Sequence, residues 1–137
     1  MTQSRHRNGK RVTERWDEVF KAVTSEPRRQ LIIALLDAPP DETVPLPKSA
    51  VNPNVPRNPT VLHQELHHCH LPMLADHGFI TWDTEPLVAG RGPRFEEVAV
   101  VFESLQSNAT DIPEPLVFGC QRLEQEQAER LGDSPSE

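Results

Sequence analysis

Apolar residues recur at helical spacing in several stretches of the chain. Trp16, Val19, Phe20 and Val23 stand at i, i+3, i+4 and i+7, which predicts a first helix over 16–23. Ser25 offers an N-cap and Pro27 a first-turn proline for a second helix over 27–36, with Leu31, Ile32, Leu35 and Leu36 inward. Arg28 and Arg29 fall at its exposed start, and Pro39-Pro40 ends it. The stretch 41–59 holds five prolines and leaves room for one short helical turn near 47–51. Thr60 is the expected cap of a third helix over 60–77, kinked at Pro72 and stopped by Gly78. Residues 79–83 alternate as a strand, 85–93 reads as a hairpin loop with Gly90 and Gly92, and a short return strand fits within 87–95. Phe95, Val98, Ala99, Phe102 and Leu105 then define the inward face of a helix over 95–105. A last helix over 115–131 carries only the sparse stripe Leu116, Cys120, Leu123 and Leu131.

The order helix, helix, variable segment, helix, hairpin, helix predicts a mainly α fold with a small β-hairpin (α+β), of the winged helix-turn-helix type. The expected division is a disordered basic arm over 1–15 and the domain over 16–105. A linker at 106–114, the last helix at 115–131 and a disordered tail at 132–137 follow. The narrow final stripe suits contact with a second copy, so a homodimer is expected.

Composition narrows the class. The chain has 137 residues and a hydrophobic share of 36%, enough for one modest core. No run of apolar residues is long enough to span a bilayer, so no membrane role is expected. The polar N-terminus lacks the apolar stretch of a signal peptide, and two cysteines do not make a disulfide scaffold. Both features point to the cytoplasm. Charge is split: residues 1–15 carry a net +4 and the remainder a net −11. An acidic body disfavours nucleic acid in dilute buffer. Acid excess with three Lys against eleven Arg also resembles proteins adapted to molar salt, where charges are screened within about 3 Å.

The run Leu62-His63-Gln64-Glu65-Leu66-His67-His68-Cys69-His70-Leu71-Pro72-Met73-Leu74-Ala75-Asp76-His77-Gly78-Phe79-Ile80 resembles winged-helix domains of halophilic archaea. Those domains carry His-His-x-His-Leu-Pro-x-Leu-Ala-Asp-x-Gly before a hydrophobic strand. They also open the second helix with Ser-x-x-Arg-Arg, here Ser25-Glu26-Pro27-Arg28-Arg29. The likeness covers about residues 16–105 and is similar, more broadly, to the ArsR-like winged-helix superfamily. It implies a transcription regulator that binds double-stranded DNA. The Pro-rich stretch 41–59 departs from that pattern, in which a well-formed helix precedes the recognition helix.

On a 100° wheel, Leu62, Leu66, Cys69 and Met73 face the core, and Thr60, Gln64, His67 and His68 lie opposite, with Arg57 upstream. Such a face suits a major groove: Gln64 can pair with adenine, and Arg57 can reach guanine or phosphate. It equally suits a solvated surface. Arg91 and Arg94 flank Gly92-Pro93 in the expected wing, 84–94, where they would touch the DNA backbone or minor groove, or form a plain surface turn. Arg28 and Arg29 suit phosphate contact or ion pairs with Asp17 or Glu18.

His63, His67 and His70 share a stripe that could begin a zinc site, with His77 or Cys120 completing it. A metal-responsive regulator is therefore one alternative to DNA binding alone. A winged-helix module for protein–protein interaction is another. No phosphate loop, nucleophile elbow or paired catalytic carboxylates occur, so no enzyme activity and no cofactor are expected.

Overall fold

The computed structural model describes residues 2–117 and 121–130. Its elements are α1 (Thr2–Ala22), α2 (Glu26–Asp37), β1 (Val44–Pro45), a 3-10 turn (Lys48–Ala50), α3 (Pro59–Glu65), a π-helical turn (Leu66–His70) and α4 (Leu71–Asp76). Then come β2 (Ile80–Thr84), β3 (Leu87–Arg91), α5 (Phe95–Ser107), a second 3-10 turn (Ala109–Asp111), α6 (Glu114–Val117) and α7 (Gln121–Arg130). The fold is mainly helical with a small antiparallel sheet, an α+β arrangement. Strand order is β1-β3-β2, with Val44 opposite Ala89 and Trp82 on the other side of Ala89. Pro45 lacks an N–H, and β1 is an edge strand, where that loss is tolerated. Among the described residues no helix is long and apolar enough to cross a membrane.

One core joins α1, α2, α3, α4, the sheet and α5, centred on Leu31, Ile32, Leu35, Leu66, Leu74, Phe79 and Val98, all fully buried. Gly78 adopts φ +80°, the left-handed turn that ends α4. Gly92 is needed for a different reason: a Cβ there would lie 2.5 Å from the Gly78 carbonyl oxygen. The tight seat lets Gly92 N donate to Phe79 O at 3.0 Å and turns the chain from β3 into α5.

Four features depart from the sequence reading. First, the chain is helical from Thr2, where polarity suggests a disordered arm over 1–15. Arg, Lys, Gln and Glu in that stretch are good helix formers, and Val12 extends the ridge of Trp16 and Phe20 by one turn. Second, the cap of the third helix is Asn58, whose Oδ1 accepts from Thr60 N at 2.9 Å and Val61 N at 3.2 Å, so Thr60 lies inside the helix. Third, Arg28 and Arg29 turn back onto α1 rather than outward. Arg28 donates through Nε to Ala22 O and through Nη2 to Lys21 O, each at 3.0 Å, and Arg29 Nη1 donates to Val23 O at 2.8 Å. Cations suit these carbonyls at and just past the end of α1, which have no partner within the helix.

Fourth, 106–114 is not an open linker. Ala109 is fully buried, and Gln127 Nε2 donates to its carbonyl at 2.9 Å. Arg130 Nε donates to Gln106 O at 3.1 Å, so α7 folds back on its own chain. Of the expected C-terminal stripe, Leu116 is exposed and Leu123 half-buried, while Cys120 and Leu131 lie outside the described residues. The tail 132–137 also lies outside them.

Candidate nucleic-acid interface

The segment from α3 to α4 carries the expected recognition face. Asn58 and Pro59 start it together, as an N-cap followed by a proline at the first helical position. The asparagine–proline pair is the signal by which the true cap could have been found. Thr60, Gln64 and His68 are exposed on this helix, as are Val61 and His63. Arg57 sits beside them and donates through Nη1 to Glu65 Oε1 at 2.9 Å, an exposed pair. His67 is half-buried: its ring stands edge-on to Trp82 with centroids 5.4 Å apart and stacks on His63 at 6.4 Å. Trp82 thus braces this exposed face from β2, a contact sequence spacing could not show.

Pro72 sets the register of this segment. It has no N–H to return to the His68 carbonyl, and its ring would collide with that oxygen in a regular α-helix. The chain widens instead, and Leu71 N donates to Leu66 O, five residues back. The extra residue moves every later side chain around the axis. His70 turns inward, 8% exposed, and Cys69, expected in the core, turns out to solvent.

Inside, His70 meets the buried Arg28. Nη1 of Arg28 lies 2.8 Å from His70 Nδ1 and must be the donor, because a guanidinium has no acceptor. His70 is therefore neutral with its proton on Nε2. Burial, and then the Arg28 cation, pull its pKa below the usual imidazole value. This occupied nitrogen and the inward turn remove His70 from the stripe of His63 and His67. Among the described residues no group of three or more His, Cys, Asp or Glu side chains is placed to hold a metal ion.

The two wing arginines are placed elsewhere. The β2–β3 turn falls at Glu85-Pro86, so Arg91 and Arg94 stand at the base of the hairpin rather than its tip. Arg91 caps the end of α2, donating through Nη2 to Leu35 O at 2.9 Å and to Ala38 O at 3.1 Å, and covers the Phe95 ring. Arg94 binds Glu18 through Nη1 at 2.7 Å and Glu97 through Nη2 at 2.8 Å, and also donates to His77 O. Its hydrogen bonds to Glu97 and Glu18 hold its pKa above the ordinary guanidinium value. Both arginines are thus engaged in tying the fold together, and the hairpin tip presents the exposed acids Asp83 and Glu85.

Of the seven expected contact residues, Arg57, Thr60, Gln64, His67 and His68 are brought together on one segment; Arg91 and Arg94 are not part of that surface. The chain matches no family model, no curated protein and no solved structure.

Proposed function

We propose that this chain is a winged helix-turn-helix regulator that binds double-stranded DNA through the exposed face of α3. The observation that carries the reading is the topology. Helix α2, edge strand β1, the 3-10 turn, the α3–α4 segment and the β2–β3 hairpin follow in the order of a winged helix. The sheet order β1-β3-β2 is that of its three-stranded wing sheet. In this assignment the 3-10 turn stands where the first helix of the helix-turn-helix would be. Buried Ala50 anchors it, and nearby Asn52 Nδ2 donates to Glu26 Oε2 at 2.6 Å. The family likeness of residues 62–80 points the same way.

Thr60, Gln64 and His68 then meet base edges, with Gln64 as the adenine reader and Arg57 exchanging Glu65 for a phosphate. With few free cations on this face, affinity comes from base contacts more than from counterion release, and its salt slope is shallow. Selection from a pool of random duplexes in molar KCl tests the proposal. It expects one enriched motif bound through α3, and a pool that stays random contradicts it.

A second reading is a protein-interaction module on the same fold. It is favoured by the engagement of Arg91 and Arg94 within the chain, the pairing of Arg57 with Glu65 and the acidic hairpin tip. A random pool in that selection would make it the leading account.

A further inference from the structure

Among the described residues, nothing covers one face of α1. Val12, Trp16 and Phe20 follow each other at i, i+4 and i+8 and are 52%, 50% and 54% exposed. Trp16 and Phe20 stack with ring centroids 5.5 Å apart. Val19 and Ala22, on the adjoining face, are the residues that α1 commits to the core. Three large apolar side chains in a continuous exposed row are an unusual surface for a lone domain. Gly9 continues the row one turn further toward the N-terminus, with open space where a side chain would be. On a 100° wheel, Gly9, Val12, Trp16 and Phe20 fall within about 80° of one another.

We propose that this ridge is the interface with a second copy of the chain, the two α1 helices packing antiparallel about a two-fold axis near residue 14. The row is self-complementary in that direction alone. Its bulk grows along the helix, from Gly9 through Val12 to Trp16 and Phe20. Antiparallel pairing sets Phe20 over the partner copy's glycine and Trp16 over the partner copy's valine, so large meets small along the whole contact. Parallel pairing sets Phe20 on Phe20 and leaves glycine facing glycine.

Charge favours the same direction. Lys10 and Asp17 lie on one flank of the ridge, about 20° apart on the wheel. A two-fold axis across antiparallel helices brings like flanks together, and so places Asp17 of each copy beside Lys10 of the other. The parallel arrangement puts the two flanks on opposite sides of the contact, so neither Lys10 nor Asp17 gains a partner across it. The inference does not depend on DNA binding, and sedimentation without DNA tests it separately.

The full chain is studied with Cys69→Ser and Cys120→Ser to remove native thiols. Sedimentation equilibrium should give twice the 15.5 kDa chain mass, and Phe20→Glu should return the single-chain mass with an unchanged far-ultraviolet spectrum. Lys10→Cys with Asp17→Cys, in the same background, then reports direction. Oxidation should give dimers whose disulfides join position 10 to position 17. A wild-type monomer at the highest soluble concentration overturns the proposal, including one that instead binds anionic lipid vesicles. So does a Phe20→Glu chain that remains dimeric, or a disulfide map showing only 10–10 and 17–17 links.

Discussion

Arg28→Met keeps the length of the side chain and removes its guanidinium. Four acceptors lose a donor: Ala22 O, Lys21 O, Thr24 Oγ1 and His70 Nδ1, at 2.8 to 3.0 Å. They are not equivalent. Lys21 and Thr24 are exposed, so water replaces the lost donor there. Ala22 is fully buried and His70 nearly so, and their acceptors are left without a partner. An orphaned buried acceptor costs about 1–3 kcal/mol, so two cost roughly 2–6 kcal/mol. The variant no longer buries a cation, which offsets part of that loss. A net destabilisation of about 2–4 kcal/mol is expected, a large share of the ~5–15 kcal/mol of a typical domain. Urea unfolding followed by Trp16 and Trp82 fluorescence measures it, with the slope against denaturant unchanged. A loss below about 1 kcal/mol would refute the argument that Arg28 is the buried tie between α1, α2 and the π-helical turn.

Further outcomes follow from the same geometry. The pKa of His70 is lowered in the folded chain from an ordinary value of 6.5, so on acidification the unfolded chain takes up this proton first. The stability His70 contributes above that value is lost as pH falls through its folded pKa. Urea midpoints should therefore drop as pH falls below 6.5 in the wild type, and drop less in His70→Gln, whose amide oxygen still accepts from Arg28. Arg91→Ala removes the cap on α2 and should cost about 1–2 kcal/mol in the same melts. Its duplex affinity should be unchanged, whereas a residue acting in a DNA-contacting wing would lower it. Pro72→Ala lets the segment relax to a regular α-helix and returns Cys69 toward the core. In a Cys120→Ser background its thiol should react more slowly with a maleimide than in the parent, and equal rates would contradict the account of the π-helical turn.

Helix α2 was readable because its cap, proline and apolar spacing agree, and the hairpin because alternation and Gly78 bracket it. The register of the third helical segment was not. A fixed 100° step holds up to Leu66, and the π-helical turn forced by Pro72 then adds a residue that spacing cannot register. Cys69 and His70 exchange places for that reason. Arg91 and Arg94 looked like wing residues because Gly92-Pro93 has the composition of a turn. Gly92 is instead required by its approach to Gly78 O, and the turn lies at Glu85-Pro86. Strand β1 is two residues long, too short to show alternation, and only its pairing with β3 reveals it. Of the proposed recognition face, Thr60 and Gln64 were legible as outward positions because they precede the distortion, and His68, inside the π-helical turn, is exposed as well. The brace of Trp82 on His67 depends on packing between distant segments and leaves no local pattern.

The most direct test of the central claim is the discrimination ratio of one side chain. Fluorescence anisotropy in molar KCl compares the duplex enriched by selection with a scrambled duplex of equal composition, for the wild type and for Gln64→Ala. If α3 reads bases, the wild type prefers the enriched site and Gln64→Ala loses about 1–3 kcal/mol of that preference. Its affinity for the scrambled duplex should stay as it was. A Gln64→Ala chain that discriminates as well as the wild type, or a wild type that binds both duplexes alike, would contradict the claim that this face recognises DNA.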